Sequence, residues 1–231
     1  MNVATVLVAG AAAVFGALAS PYAARAIRDT PPDPEDDPPP VPRAGPWLEQ
    51  RKLLAPLLAI VAAGVAASAG AHPAAAAHVV AAVSLVTLSV IDLDLFLLPK
   101  RIVWPTVGAV GALLVIAALV DGDATSLKRA ALAGLGGFVA LLVLHIISPN
   151  GMGFGDVRLA GLIGLDLGWL GAQQVVLGIF AGFVLAAVVG LTLIALRRKK
   201  SRDAVPFGPF LALGTLFVLC GGDLLLGLAR H

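Results

Sequence analysis

The chain contains a series of apolar blocks, nearly free of charge, at residues 2–24, 53–70, 74–98, 102–120, 129–148, 156–170, 173–196 and 207–228. Most match the roughly 17–25 residues over which a helix crosses bilayer hydrocarbon. A helix that is apolar all round has to be buried in protein or in lipid. A chain of 231 residues has no interior large enough to hide eight of them. In lipid, moreover, the backbone must satisfy its own hydrogen bonds, which helices do segment by segment. The fold class is therefore all-α, a polytopic membrane helical bundle with about eight transmembrane segments. Composition agrees: 59% of residues are hydrophobic and 13% charged, against about 45–50% and about 25% in soluble domains.

Charge placement predicts the orientation. No basic residue precedes the first block, and Arg25 and Arg28 follow it. That pattern fits a retained first span with its N-terminus outside, rather than a cleaved signal. The connections then alternate. Arg25 to Lys52, the Pro99-Lys100-Arg101 turn and the RRKK cluster at 197–200 fall inside, as the positive-inside rule expects. Lys128 and Arg129 are exceptions, in a connection expected outside. With seven spans, the RRKK cluster and the first basic loop could not share a side, so parity calls for a short sixth span at 156–170. The expected division is a first span over 1–28, a Pro-rich cytoplasmic loop over 29–52 and a membrane-embedded core over 53–231. Proline removes backbone donors and favours extended chain, so "PPDPEDDPPP" is not expected to form a folded domain. The net charge of +2 sits at the ends of apolar blocks and gives no sign of nucleic-acid binding. Cys220, the single cysteine, excludes an internal disulfide and a cysteine-based zinc site, and is expected in the apolar core.

Few carboxylates lie in or beside the blocks: Asp92, Asp94, Asp156, Asp166 and Asp223. A charge in hydrocarbon is costly, which makes each a functional candidate. Asp92 precedes Pro99 by seven residues, about 10 Å inside the inner end of the third span. Asp94 points about 200° away around the helix. Asp156 opens the sixth block behind the glycines of "PNGMGFGD". Glycine permits backbone conformations closed to other residues and close helix approach, and a carboxylate at a helix N-terminus is favoured by the macrodipole. An N-cap is the other reading of Asp156. Asp92 and Asp156 share the inner side at similar depth, and two carboxylates that approach one another form an aspartyl dyad. Asp166 and Asp223 fall near outer ends, where hydration at the interface is expected. His145 is expected to make a structural or polar contact; His72 and His78 lie near the outer surface and suggest no role.

Three stretches carry a family resemblance. "GMGFGDVRLAGLIG" resembles the Gly-x-Gly-Asp-x-Lys motif of type IV prepilin peptidases, the GxGD-type intramembrane aspartyl proteases. "VIDLDLFLLPKRIVWP" is similar to that family's other aspartate motif, and "AVPFGPFLALGTL" to its Pro-Phe-Gly-Pro segment before the last span. The resemblance implies Asp92 and Asp156 as catalytic residues, and Gly153, Gly155, Arg158 and Pro99 as motif or positioning residues. Arg158 stands where the family usually has Lys, and Lys100 where Asp or Asn is usual. Bifunctional members carry paired Cys-x-x-Cys motifs in the first loop, associated with zinc and with N-methylation of the trimmed pilin. Here that loop has no cysteine, which implies a peptidase-only form with no cofactor and no metal. The implied partners are prepilin or pilin-like precursors and membrane lipid, with no nucleic acid; cleavage would occur at the cytoplasmic face of the inner membrane. Substrate-binding residues and oligomeric state do not follow from the sequence. The alternatives are a small proton- or cation-coupled transporter using the same carboxylates, or a non-catalytic assembly factor of pilus or secretion machinery.

Overall fold

A computed structural model of the chain describes residues 3–29, 51–148, 152–196, 205–221 and 227. Eight helices follow one another: α1 (Val3–Asp29), α2 (Arg51–Ala69), α3 (Ala75–Leu95), α4 (Lys100–Asp121), α5 (Ala124–Ile147), α6 (Phe154–Leu170), α7 (Ala172–Ala195) and α8 (Gly208–Leu219). Four of them, α3, α4, α5 and α7, are long and apolar enough to cross a membrane, with shorter apolar helices beside them. The chain is a multi-pass membrane protein. The linker expected over 29–52 lies almost wholly outside the described residues, as does Asp223; so does the side chain of Asp94.

Local chemistry sets the boundaries. Gly122 takes a left-handed conformation and closes α4, and Asp123 then caps α5, its side chain accepting the Ser126 N–H at 2.9 Å. Helix α5 therefore starts five residues before the expected apolar block, and Lys128 and Arg129 lie within it rather than in a loop. Helix α3 stops earlier than hydropathy suggests. Phe96 turns left-handed (φ 55°), and Leu97, Leu98 and Pro99 run on without helix. Proline disfavours helical backbone in the residue before it, so Leu98 is held out of the helix even though the run is apolar throughout.

Helices α3 and α6 form the interior. Of α3's span 67% is buried, against 33% or less for α4, α5 and α7. Helix α6 is buried along most of its length. Its 17 residues make about 25 Å, short for a lipid-facing span but sufficient for a helix enclosed by its neighbours. It lies against α5 along a seam of small residues. A Cβ at Gly137 would come 2.7 Å from the Ala160 carbonyl oxygen, and one at Gly164 would overlap the Ala133 carbonyl. Backbone meets backbone there, which is how helices associate where lipid removes the hydrophobic drive. Helices α7 and α8 meet in the same way through Gly182 and Gly214. Cys220 is exposed just past the end of α8, not in the core as expected, because α8 stops at Leu219.

Candidate active site

Three helix ends and one extended segment converge at one end of the bundle. Asp92 sits in the last turn of α3, three residues before its end rather than deep within a longer helix, because α3 breaks at Phe96. It is 5% exposed, and its Oδ2 accepts the backbone N–H of Gly208 at 2.9 Å. That N–H opens α8, so the carboxylate also meets the positive end of a helix dipole. Asp156 lies in the first turn of α6 and is 6% exposed. The N-cap is Gly153, so Asp156 stands inside the helix and is not its cap. Leu98 lies against both Gly155, next to Asp156, and Gly208, next to the Asp92 carboxylate, so the two aspartates share one end of the bundle. The side chain of Leu98 lies between the two helix starts. A Cβ at Gly155 would sit 2.7 Å from Leu98 Cβ, and one at Gly208 would sit 2.8 Å from Asp92 Oδ2 and 3.3 Å from Leu98 Cδ2.

The glycines therefore act differently from the sequence expectation. Gly153 has φ −69° and ψ 148°, open to any residue, and Gly155 has no positive φ. Gly155 is required by the space that Leu98 occupies, not by backbone conformation. Pro99 acts at one remove: buried, with φ −66° and ψ 126°, it ends the extended segment that delivers Leu98 and starts α4. Arg158 is 7% exposed, with its guanidinium carbon 4.7 Å from the centre of the Phe154 ring, a cation–π contact that suits planar guanidinium. Phe154, itself partly exposed, also meets Phe138 and His145 edge-on. His145 Nδ1 lies 2.8 Å from the Met152 carbonyl oxygen, the polar contact expected of it, and ties the end of α5 to the entry of α6.

A family comparison covers this same region. The profile of the Type IV leader peptidase family matches residues 79–191, from the first turns of α3 to the later part of α7. Both Asp92 and Asp156 fall within it. The similarity is to the Type IV leader peptidase family and covers just under half of the chain. Curated relatives agree. The chain is 32% identical over 146 residues to a prepilin leader peptidase/N-methyltransferase of Aeromonas hydrophila, covering 60% of this chain and 47% of the relative. To the protein of that name in Pseudomonas putida it is 33% identical over 145 residues (61% and 48%). To that of Burkholderia pseudomallei strain K96243 it is 33% identical over 175 residues (72% and 54%). The chain spans about half the length of the curated relatives it matches. No solved structure matches it significantly.

Two residues around the aspartates carry more than sequence reading assigned to them. Gly208 belongs to the Pro-Phe-Gly-Pro segment, which was legible as a motif but had no role; it supplies the N–H that Asp92 accepts. Leu98 is one more leucine in an apolar run, marked only by the proline after it. The far end of the bundle brings a correction. Asp166 is not hydrated at an interface: it is fully buried, 2.8 Å from Nδ1 of His78, which is 3% exposed. Both helices are interior ones, so a position near a helix end is not a position near water. Beside this pair, Arg129 reaches from α5 to the last carbonyls of α6, at 2.9 Å from Gly168 and 2.5 Å from Trp169.

Proposed function

We propose that this chain is a membrane aspartyl endopeptidase that removes the short leader from type IV prepilin or pilin-like precursors at the cytoplasmic face, with Asp92 and Asp156 as its catalytic pair. The observation that carries this reading is the convergence of those two buried aspartates, at the facing ends of α3 and α6, within the family-matched region. Two carboxylates at short range in a dry site do not both ionise; one keeps the proton. The ionised member takes a proton from water, and the water oxygen attacks the scissile carbonyl carbon. The protonated member gives its proton to the carbonyl oxygen. When the tetrahedral intermediate collapses, the C–N bond breaks, the carboxyl that took water's proton gives it to the leaving amine, and a hydroxyl of the intermediate returns its proton to the other carboxylate. These steps need only the carboxyl groups and water.

Eight spans with the N-terminus outside put the basic clusters and both aspartates on the inner side, in keeping with the charge rule. The peptidase-only reading rests on the cysteine-free loop between α1 and α2, although the curated relatives are named for both activities. The test is to mix membranes containing this chain with a prepilin and with S-adenosylmethionine. A shortened, unmethylated product is expected. An uncut prepilin, with the chain correctly inserted, would sink the peptidase reading and favour a transporter or assembly factor. A methylated product would remove the peptidase-only restriction.

A further inference from the structure

Four buried polar side chains mark the two ends of α3 and α6. Asp92 and Asp156 share one end; His78, in the first turn of α3, and Asp166, near the end of α6, share the other. The helices are therefore antiparallel, with a polar pair at each end. His78 and Asp92 lie only about 40° apart around α3. The 2.8 Å contact between His78 and Asp166 joins α3 to α6 side chain to side chain.

Helix α6 needs a positional anchor because of how it packs. Its long contact with α5 runs over Gly134, Gly137, Gly161, Gly164 and Gly168. A seam of small residues brings helices close but offers few interlocking ridges to fix their axial register. Directional bonds gather at the far end of α6: Arg129 holds its last carbonyls to α5, and His78 holds Asp166 to α3. Of these, the second refers α6 to the helix that carries Asp92. A charged or polar pair in a dry interior also fixes register more sharply than apolar packing does, because any slip strands a buried carboxylate.

We infer that the His78–Asp166 pair is a positioning clamp, setting the depth of α6 against α3 so that Asp156 comes level with Asp92. This rests on the proposed catalytic pair. Neither residue touches the reacting atoms; they act through the helices that bear them.

The test compares kcat, KM and thermal stability of the purified full-length protein on a prepilin, for His78→Leu, Asp166→Leu, the double Leu variant and His78→Gln. Each single Leu variant leaves a buried partner alone and can fail to fold. The double variant removes both polar groups and is expected to fold. Its kcat should fall about tenfold or more, since misplacement by 1 Å costs up to about a hundredfold, while KM and stability stay near those of the parent. His78→Gln keeps a donor for Asp166 and should recover most of the lost kcat. A parental kcat in the double variant would overturn the clamp. So would losses that follow stability across the whole series, with His78→Gln no better than His78→Leu. Asp92→Asn and Asp156→Asn serve as controls. If they still cleave, the catalytic assignment fails; if they are inactive while every clamp variant cleaves normally, the clamp alone fails.

Discussion

One end of the α3–α6 pair holds two aspartates; at the other, a carboxylate lies against an imidazole. Both ends are buried. At the first, Asp92 accepts a backbone N–H from Gly208, a donor that carries no proton to exchange in turnover. At the second, the imidazole of His78 complements Asp166 directly. Asp92 is aimed by a backbone donor at the start of α8, whereas Asp166 is aimed by a side chain on its partner helix. A pair of aspartates held by backbone is suited to sharing and releasing a proton; an aspartate held by histidine is suited to staying where it is. On the proposed reading, the same residue type, on the same two helices, serves chemistry at one end and positioning at the other.

The sharpest way to break this contrast is to replace the carboxylates one at a time. Asp92→Asn and Asp156→Asn keep size and polarity, and in Asp92→Asn the side-chain amide oxygen can still accept from Gly208. Each should lower cleavage at least about a hundredfold, the scale of acid–base contributions, with inserted protein unchanged on immunoblot. Asp94→Asn should cut close to normally. Inactive Asp94→Asn beside active Asp92→Asn would move the site to the other carboxylate.

The next largest effect should come from the space around Leu98. Gly155→Val places Cβ where Leu98 already stands and should remove most activity per inserted molecule. A Cβ at Gly161 would lie 3.4 Å from Phe138 Cβ, a tight contact that side-chain motion can relieve. Gly161→Ala should therefore stay within about threefold of the parent, under about 0.7 kcal/mol of barrier. Equal activity in Gly155→Val would mean that the approach of α6 to Leu98 does not position Asp156.

A smaller effect is expected from the first loop. Replacing residues 31–42 with a flexible linker of equal length should leave cleavage within about tenfold, or about 1.4 kcal/mol. A loss of several orders of magnitude at normal protein level would give the loop a part in binding or gating. Chelators should leave peptidase activity intact, since the proposed steps run through carboxylates.

The smallest effect belongs to Asp123, a partly exposed counterpart to the buried acids. The Ser126 hydroxyl, with the Ser126 N–H, holds its carboxyl below the usual range. Its contribution to stability is present above the ordinary carboxylate pKa and is lost as pH falls through the lowered value. Asp123→Ala should flatten that acid-side dependence slightly in thermal melts and leave cleavage unchanged at neutral pH.

Hydropathy made the helices legible, because eight apolar blocks in a chain of this size leave few other folds. It placed Asp92 too deep. "LFLLP" is apolar whether helical or not, and the break at Phe96 is written only in the proline three residues on. The two aspartates were legible through cost: a carboxylate in an apolar block calls for a reason. Gly155 was expected to serve a turn; its φ is not positive, and Leu98 fills the space a Cβ would take, because local sequence does not reveal which neighbour will lie beside a glycine. The partnership of His78 with Asp166 was hidden by their 88-residue separation; each alone reads as an interfacial residue. Arg129 reads as a loop cation because charge near a helix start resembles an overhang, and only the packed bundle shows its target on α6.

The bond between Gly208 and Asp92 joins residues 116 positions apart, and this gives the site an order of completion. During synthesis α3 emerges early and α6 follows, so both aspartates exist well before α8 is made. The donor that aims Asp92 arrives only with α8, the last helix among the described residues. A nascent chain halted after α7 would hold both acids and lack the group that orients one of them. If the proposed pair is catalytic, proteolytic competence waits on α8, and a half-built chain in a membrane full of exposed helices would be a poor protease.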